Sequence, residues 1–451
     1  MLFGWHGVTR TNRSRTEEQK QQELDKIAKY RDLEGQVRSL VADDKFTPEL
    51  LKLTNKLLRL NPEYYTIWNV RRRCLLTCGL SCKPSVGSLP SKASQSSSQT
   101  ATTTTCSAES SSSSSITTPQ NPASQTTGRS GTTADDTVSP GPSGDDDRRD
   151  DGAREKAREN DLDMLRSELG FTVPLLMEFP KCYWIWKYRS WLLQQAIDRL
   201  DPVVARRIWE EELGLDTKML SKDRRNFHAW GYRRNVVSHL ESAALNGTSM
   251  IESEFDFTSK MIRVDLSNFS AWHNRSKLIP RLLDERQADA STRKKFFDDE
   301  LAQIKEGLNV GPEDQSLWYY HQFLMLDLIE HAKRPTITAG FTVEERVKYI
   351  TADIVDIKDL LEDYDDCKLI YEALIECTLA LPTLQERKPS EGELLDVETW
   401  LSKLQELDPM RRDMFIASSR TSDGISNHFS DHKPLRSGLP ALELLQKASK
   451  K

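Results

Sequence analysis

Cys74, Cys78 and Cys82 follow one another at steps of four residues. Two of them can share a helix face, and cysteine thiolates act as nucleophiles and metal ligands. A closed zinc site needs further Cys or His ligands. No histidine or second cysteine pair accompanies these three, and Gly79 and Pro84 mark the end of the helix that carries them. They read as small apolar fillers and loop thiols, and no metal site is assigned to the chain. His239, His273 and His321 show no ligand spacing to nearby carboxylates or cysteines. No Gly-rich phosphate loop, nucleophile elbow or zinc-protease helix appears. The chain reads as one that is not self-sufficient in catalysis. Two cations stand out instead. Lys181 and Arg225 each lie just before an aromatic residue at a helix start, where the helix dipole disfavours positive charge. Phe227 and His228 sit beside Arg225.

These residues ride on helices. Residues 16–40 carry Leu24, Ile27, Leu33, Val37 and Leu40 at three- and four-residue steps, the helical period. Thr47-Pro48 starts a second helix. Asn61-Pro62 is expected to end it and to open a third, through Tyr65, Trp68 and Leu75. Residues 84–155 are dominated by Ser and Thr, with scattered Pro and Gly and an acidic run at Asp145–Asp147. Such a stretch buries too little apolar surface to offset its chain entropy. It is expected to be a disordered insertion between residues 16–83 and residues 156–410. From Leu162 to Leu407 the helical pattern returns without a credible strand, and residues 411–451 lose it and read as a mobile tail. The fold class is all-α.

The tryptophans expose a repeat. Tyr65-Thr66-Ile67-Trp68-Asn69-Val70-Arg71 is the first copy. The others are Tyr183…Trp186…Arg189, Phe227…Trp230…Arg233 and Phe269…Trp272…Arg275, with a degenerate fifth around Trp318. Trp186, Trp230, Trp272 and Trp318 are 44, 42 and 46 residues apart, a period that signals a solenoid of paired helices. Aromatic, Trp and Arg at steps of three are expected along one side of the second helix of each hairpin, packing against the neighbouring hairpin. Asn226 and Asn268 stand where an N-cap would satisfy open backbone donors. Pro62 and Pro180 are expected to pre-set the first helical turn. An active site needs a residue once, so function is sought where the copies differ, at Lys181 and Arg225.

Bulk properties narrow the class. The net charge is −6 and the pI near 5.9, without the basic footprint of a nucleic-acid binder. No apolar run approaches the ~20 residues of a membrane helix, and Met1 to Arg15 holds no signal-peptide core. Seven cysteines without a framework spacing fit a reducing compartment, with the cytoplasm as the expected location.

The repeated aromatic-x-x-Trp-x-x-Arg signature resembles the protein prenyltransferase α-subunit repeat, over about residues 16–83 and 160–410. Asp314–His321, together with Phe227 and Tyr232-Arg233-Arg234, is most similar to the Rab geranylgeranyltransferase type, and His6-Gly7 resembles the His-Gly opening of that subfamily. The resemblance implies an α-α superhelix of about six or seven hairpins whose concave face wraps a β subunit in an obligate heterodimer. It implies transfer of geranylgeranyl from its diphosphate to C-terminal cysteines of Rab GTPases presented by a Rab escort protein. Geranylgeranyl diphosphate would lie at the subunit interface, and zinc in the β subunit, this chain binding no cofactor. Lys181 and Arg225 would contact the diphosphate, and Phe227 and His228 would line the opening. Two alternatives stay open: the α subunit shared by farnesyltransferase and type I geranylgeranyltransferase, acting on CaaX tails, and a non-catalytic helical-repeat scaffold.

Overall fold

The computed structural model describes residues 16–81, 146–329 and 337–411. The expected insertion up to residue 145, the tail beyond Arg411 and the His6-Gly7 pair lie outside the described residues. Among the described residues every regular element is helical. Helix α1 (Glu17–Ala42) starts on a capping box in which Thr16 and Gln19 satisfy each other's backbone donors. Six hairpins follow: α2 (Pro48–Leu60) with α3 (Tyr65–Cys74), α4 (Asp146–Glu178) with α5 (Tyr183–Arg199), α6 (Pro202–Lys222) with α7 (Phe227–Leu240), α8 (Ile251–Val264) with α9 (Phe269–Glu285), α10 (Ala290–Val310) with α11 (Gln315–Ile329), and α12 (Val343–Asp363) with α13 (Lys368–Leu384). Helix α14 (Glu391–Leu407) packs on α13. Successive second helices touch one another, α3 to α5 to α7 and α9 to α11 to α13.

Two boundaries differ from the sequence reading. Helix α4 begins at Asp146, inside the stretch assigned to the insertion. Ala153-Arg154-Glu155-Lys156-Ala157-Arg158-Glu159 is made of strong helix formers, and the preceding aspartates suit a helix N-terminus. Pro62 and Pro180 lie in the turns between helices rather than in a first helical turn, since α3 and α5 start at Tyr65 and Tyr183. Their carbonyls have a separate task.

Each repeat tryptophan donates its indole N–H to the carbonyl six residues earlier. Trp68 bonds Pro62, Trp186 Pro180, Trp230 Arg224, Trp272 Leu266 and Trp318 Pro312, at 2.6 to 2.9 Å. Four of these carbonyls accept a second donor from the next repeat. Cys182 Sγ bonds Pro62, Asn226 Nδ2 bonds Pro180, Asn268 Nδ2 bonds Arg224 and Cys367 Sγ bonds Pro312. Asn226 and Asn268 are at once N-caps of their own helices and staples to the previous turn. The indoles of Trp68, Trp186 and Trp272 lie 4.8, 4.9 and 4.5 Å from the rings of Tyr188, Tyr232 and Tyr320 in the following repeat, within the range of favourable aromatic pairs.

The repeat arginine ties four helices together. Arg189 on α5 donates Nε and Nη2 to Glu212 on α6, at 2.7 and 2.5 Å, and Nη1 to Thr172 on α4. Tyr232 on α7 donates its hydroxyl to the same Glu212. Arg71 repeats the pattern with Glu168, Thr54 and Tyr188, and Arg275 with Glu300, Ser259 and Tyr320. Arg233 pairs with Glu254 and Thr217. All four arginines and their glutamates are buried. Each guanidinium spends Nε and Nη2 on the carboxylate and Nη1 on a hydroxyl, with backbone carbonyls of Leu51 and Leu169 adding acceptors for Arg71 and Arg189, which favours burying the charge pair.

The last hairpins use other letters for the same contacts. At the arginine position of the fifth copy stands His321, whose Nε2 lies 2.8 Å from Asp353 Oδ2. Lys305 adds a cation 3.3 Å from Asp353. At the tryptophan position of the sixth stands Tyr371, whose hydroxyl donates to the Asp365 carbonyl six residues earlier.

Candidate functional site

The aromatic of the signature does not belong to the buried seam. Tyr65, Tyr183, Phe227 and Phe269 are 53, 47, 69 and 46% exposed. This corrects the expectation that aromatic, Trp and Arg share one packing side. Three residues at about 100° each turn the chain by about 300°. Aromatic and arginine are therefore about 120° apart around the helix. Arginine enters the junction with the first helices, while the aromatic emerges at the start of the second helix on the open face.

Lys181 and Arg225 lie in the turns immediately before those aromatics, and both are exposed. Lys181 Nζ is 3.7 Å from Asp223 in the next turn, and Arg225 Nη2 is 3.6 Å from Asp265 in the turn after that. Exposed pairs of this length contribute little stability, so both cations can reorient toward an anionic ligand. No contact joins Lys181 to Arg225 among the described residues. The structure places them in equivalent positions of successive repeats, each two residues before the exposed aromatic.

His228 packs beside Phe227 and lies within reach of the charge of Lys181. The ring of His228 lies 4.0 Å from Phe227 and 6.2 Å from Tyr183. Burial depresses the imidazole's basicity, with Glu63 opposing and Lys181 reinforcing the effect. The shift favours the neutral imidazole, which can donate one hydrogen bond. Trp184 extends the cluster, 5.4 Å from Tyr183 and 5.3 Å from Tyr65. Lys187 sits over the Tyr183 ring at 5.4 Å.

Sequence reading missed the charge of this face. Lys187, Arg234, His273 and Lys277 project from the exposed sides of α5, α7 and α9. Burial lowers the basicity of both Arg234 and His273. A signal was present: α3 and α7 contain no Asp or Glu, and α5 and α9 contain none before Asp198 and Asp284. The negative residues of a chain with net charge −6 are concentrated elsewhere.

Among the described residues, Cys74 and Cys78 belong to no cluster of metal-binding side chains. Cys74 is buried, and burial pushes its thiol up to about 11, the opposite of what a metal-binding thiolate requires. Cys78 gives its thiol to the Cys74 carbonyl, and Cys82 lies outside the described residues.

The architecture is that of an α-α superhelix with one open face of aromatics and cations. The chain belongs to the protein prenyltransferase α-subunit family. The family described as "Protein prenyltransferase alpha subunit repeat" matches residues 47–78, 165–196, 209–240 and 251–282, the first four hairpins. Three relatives are named "Geranylgeranyl transferase type-2 subunit alpha". That of Candida albicans is 28% identical over 94% of this chain and 100% of its own length. That of Dictyostelium discoideum is 31% identical over 55% of this chain and 68% of its own length. That of Saccharomyces cerevisiae is 25% identical over 58% and 75%. A solved structure, Candida albicans protein geranylgeranyltransferase-I complexed with GGPP, is 18% identical over 87% of this chain and 89% of its own, with a TM-score of 0.48, too loose a likeness to add to the fold. No described helix is long and apolar enough to cross a membrane.

Proposed function

We propose that this chain is the α subunit of a heterodimeric Rab geranylgeranyltransferase of the cytoplasm. A β subunit seats on the face formed by the second helices. The reaction moves geranylgeranyl from geranylgeranyl diphosphate to C-terminal cysteines of Rab GTPases presented by a Rab escort protein. The cysteine sulfur forms a thioether bond to C1 of the isoprenoid, the C1–O bond breaks, and diphosphate leaves with the electron pair. Zinc in the β subunit would hold the thiolate. This chain's part is to meet the charge that builds on the departing diphosphate, since cations and hydrogen-bond donors fixed there lower the barrier.

One observation carries the reading: the exposed cations Lys181 and Arg225, flanked by His228 and exposed aromatics, where the repeat seam has no need of them. The names of the relatives point to the type-2 activity over the CaaX enzymes. The test is co-expression with type-2 β subunit, then prenyl transfer to a Rab protein with escort and to a CaaX peptide. Transfer to the Rab alone is expected. Transfer to the CaaX peptide, or no complex with the β subunit, would overturn the reading.

A further inference from the structure

The face of second helices reverses sign along its length. One residue after the repeat Trp stand Asn69, Lys187, Gly231, His273 and Tyr319, and Glu372 takes that position in the sixth repeat. Five residues after the Trp stand Arg73, Trp191, Asn235, Lys277 and Phe323, and Glu376 takes that position. The two carboxylates are one turn apart on α13, where the first four repeats carry only neutral or basic residues.

Both glutamates line a small, open cleft between α11 and α13. Met325, Leu326, Ile329 and Leu369 form its apolar wall. Gln322 Nε2 donates to both oxygens of Glu376 at 2.8 Å. No Lys or Arg pairs with Glu376 among the described residues. Burial raises its carboxyl above the ordinary range, with Gln322 opposing. A carboxylate drawn out of water and met by one neutral amide is a destabilised group until a cation reaches it.

We propose that this cleft is an anchor for one lysine or arginine side chain of the β subunit. The proposal rests on the functional reading above, and names a contact within it. The apolar wall fits an aliphatic stem, and the Glu376 carboxylate fits the charged head. An acidic residue would be repelled by Glu376, and an apolar one would leave it met by Gln322 alone. The partner surface is accordingly acidic opposite the first four repeats and basic opposite the sixth, a pattern that fixes orientation as well as affinity.

The test measures heterodimer dissociation constants with the wild-type chain, Glu376→Gln, Glu376→Lys and the control Glu398→Gln on α14, alongside the melting temperature of each free chain. Glu376→Gln is expected to weaken the heterodimer about ten- to a hundred-fold and Glu376→Lys more strongly. Neither the control's affinity nor the free chain's melting temperature with Glu376→Gln should fall. Unchanged affinity in Glu376→Gln would overturn the anchor while leaving the functional reading intact. A lower melting temperature of that free chain would also overturn it, because a cation of the chain itself would then fill the cleft. If the wild-type chain forms no heterodimer, the functional reading fails and the anchor fails with it.

Discussion

Arg71 and Glu168 stand 97 residues apart in sequence and form a buried two-pronged ion pair at 2.6 and 2.7 Å. The Ser/Thr-rich segment runs between them, yet their junction has the same contacts as the junctions of consecutive hairpins. Ser81 reinforces it by donating its backbone N–H and hydroxyl to Asp161 on α4. The seam therefore does not depend on the intervening chain. Replacing residues 84–145 with a Gly/Ser linker of about 12 residues, long enough to span on the order of 40 Å, should leave the melting temperature within about 2 °C and β-subunit binding intact. Thermal melts followed by circular dichroism check this, and a large drop would assign the segment a structural role.

The arginine knot predicts an asymmetry among variants. Arg189→Ala leaves Glu212 buried without its cation and should cost about 3–5 kcal/mol. Replacing Arg189 and Glu212 together by methionine and leucine should cost much less, because no uncompensated charge remains. Urea unfolding of the single and double variants measures the difference.

Asp216 is a defect in the repeat. Thr54, Thr172 and Thr258 hold the equivalent position, 14 residues before the tryptophan. Asp216 is buried, neither of its oxygens has a hydrogen-bond partner, and Arg233 comes no closer than 3.6 Å. Burial raises its carboxyl to about 8, with Glu212 and Glu254 adding to the rise and Arg233 opposing it. In the unfolded chain the same group ionises near pH 4. Between about pH 4 and pH 8 the native state keeps a proton that the unfolded state has lost, so this contribution to stability falls as pH rises through that window and is constant above it. At about 1.4 kcal/mol per unit the effect is a few kcal/mol. Asp216→Thr should raise the melting temperature at pH 8, flatten its dependence on pH, and change little at pH 4.

Lys181→Ala should slow single-turnover prenyl transfer by about 10- to 10³-fold while heterodimer affinity stays within about twofold, since the side chain is exposed and loosely paired. Arg225→Ala should act in the same direction. Equal loss of transfer and assembly would assign both residues to the interface alone.

Much of this architecture was legible in the letters. Trp and Arg at a fixed spacing announced the solenoid, because every junction must satisfy the same indole and guanidinium donors. Asn226 and Asn268 were legible as caps because a helix N-terminus leaves donors that a short carboxamide meets. The fifth and sixth junctions were not fully legible. His321 with Asp353, and Tyr371 with the Asp365 carbonyl, preserve the donor–acceptor geometry while changing the residues, and a pattern of letters cannot see a conserved bond.

The aromatic-x-x-Trp-x-x-Arg signature divides along a physical line. Sequence by itself determined the hairpins, their period and the buried partnership of Trp and Arg, since helical period and hydrogen-bond satisfaction are local demands. Tertiary structure alone decided that the aromatic faces out beside Lys181 and His228, that the cations of α5, α7 and α9 share one surface, and that Glu376 closes that surface with the opposite sign. Those outcomes depend on how far each helix is rotated when its neighbours dock, and stacking rather than any single helix sets that angle.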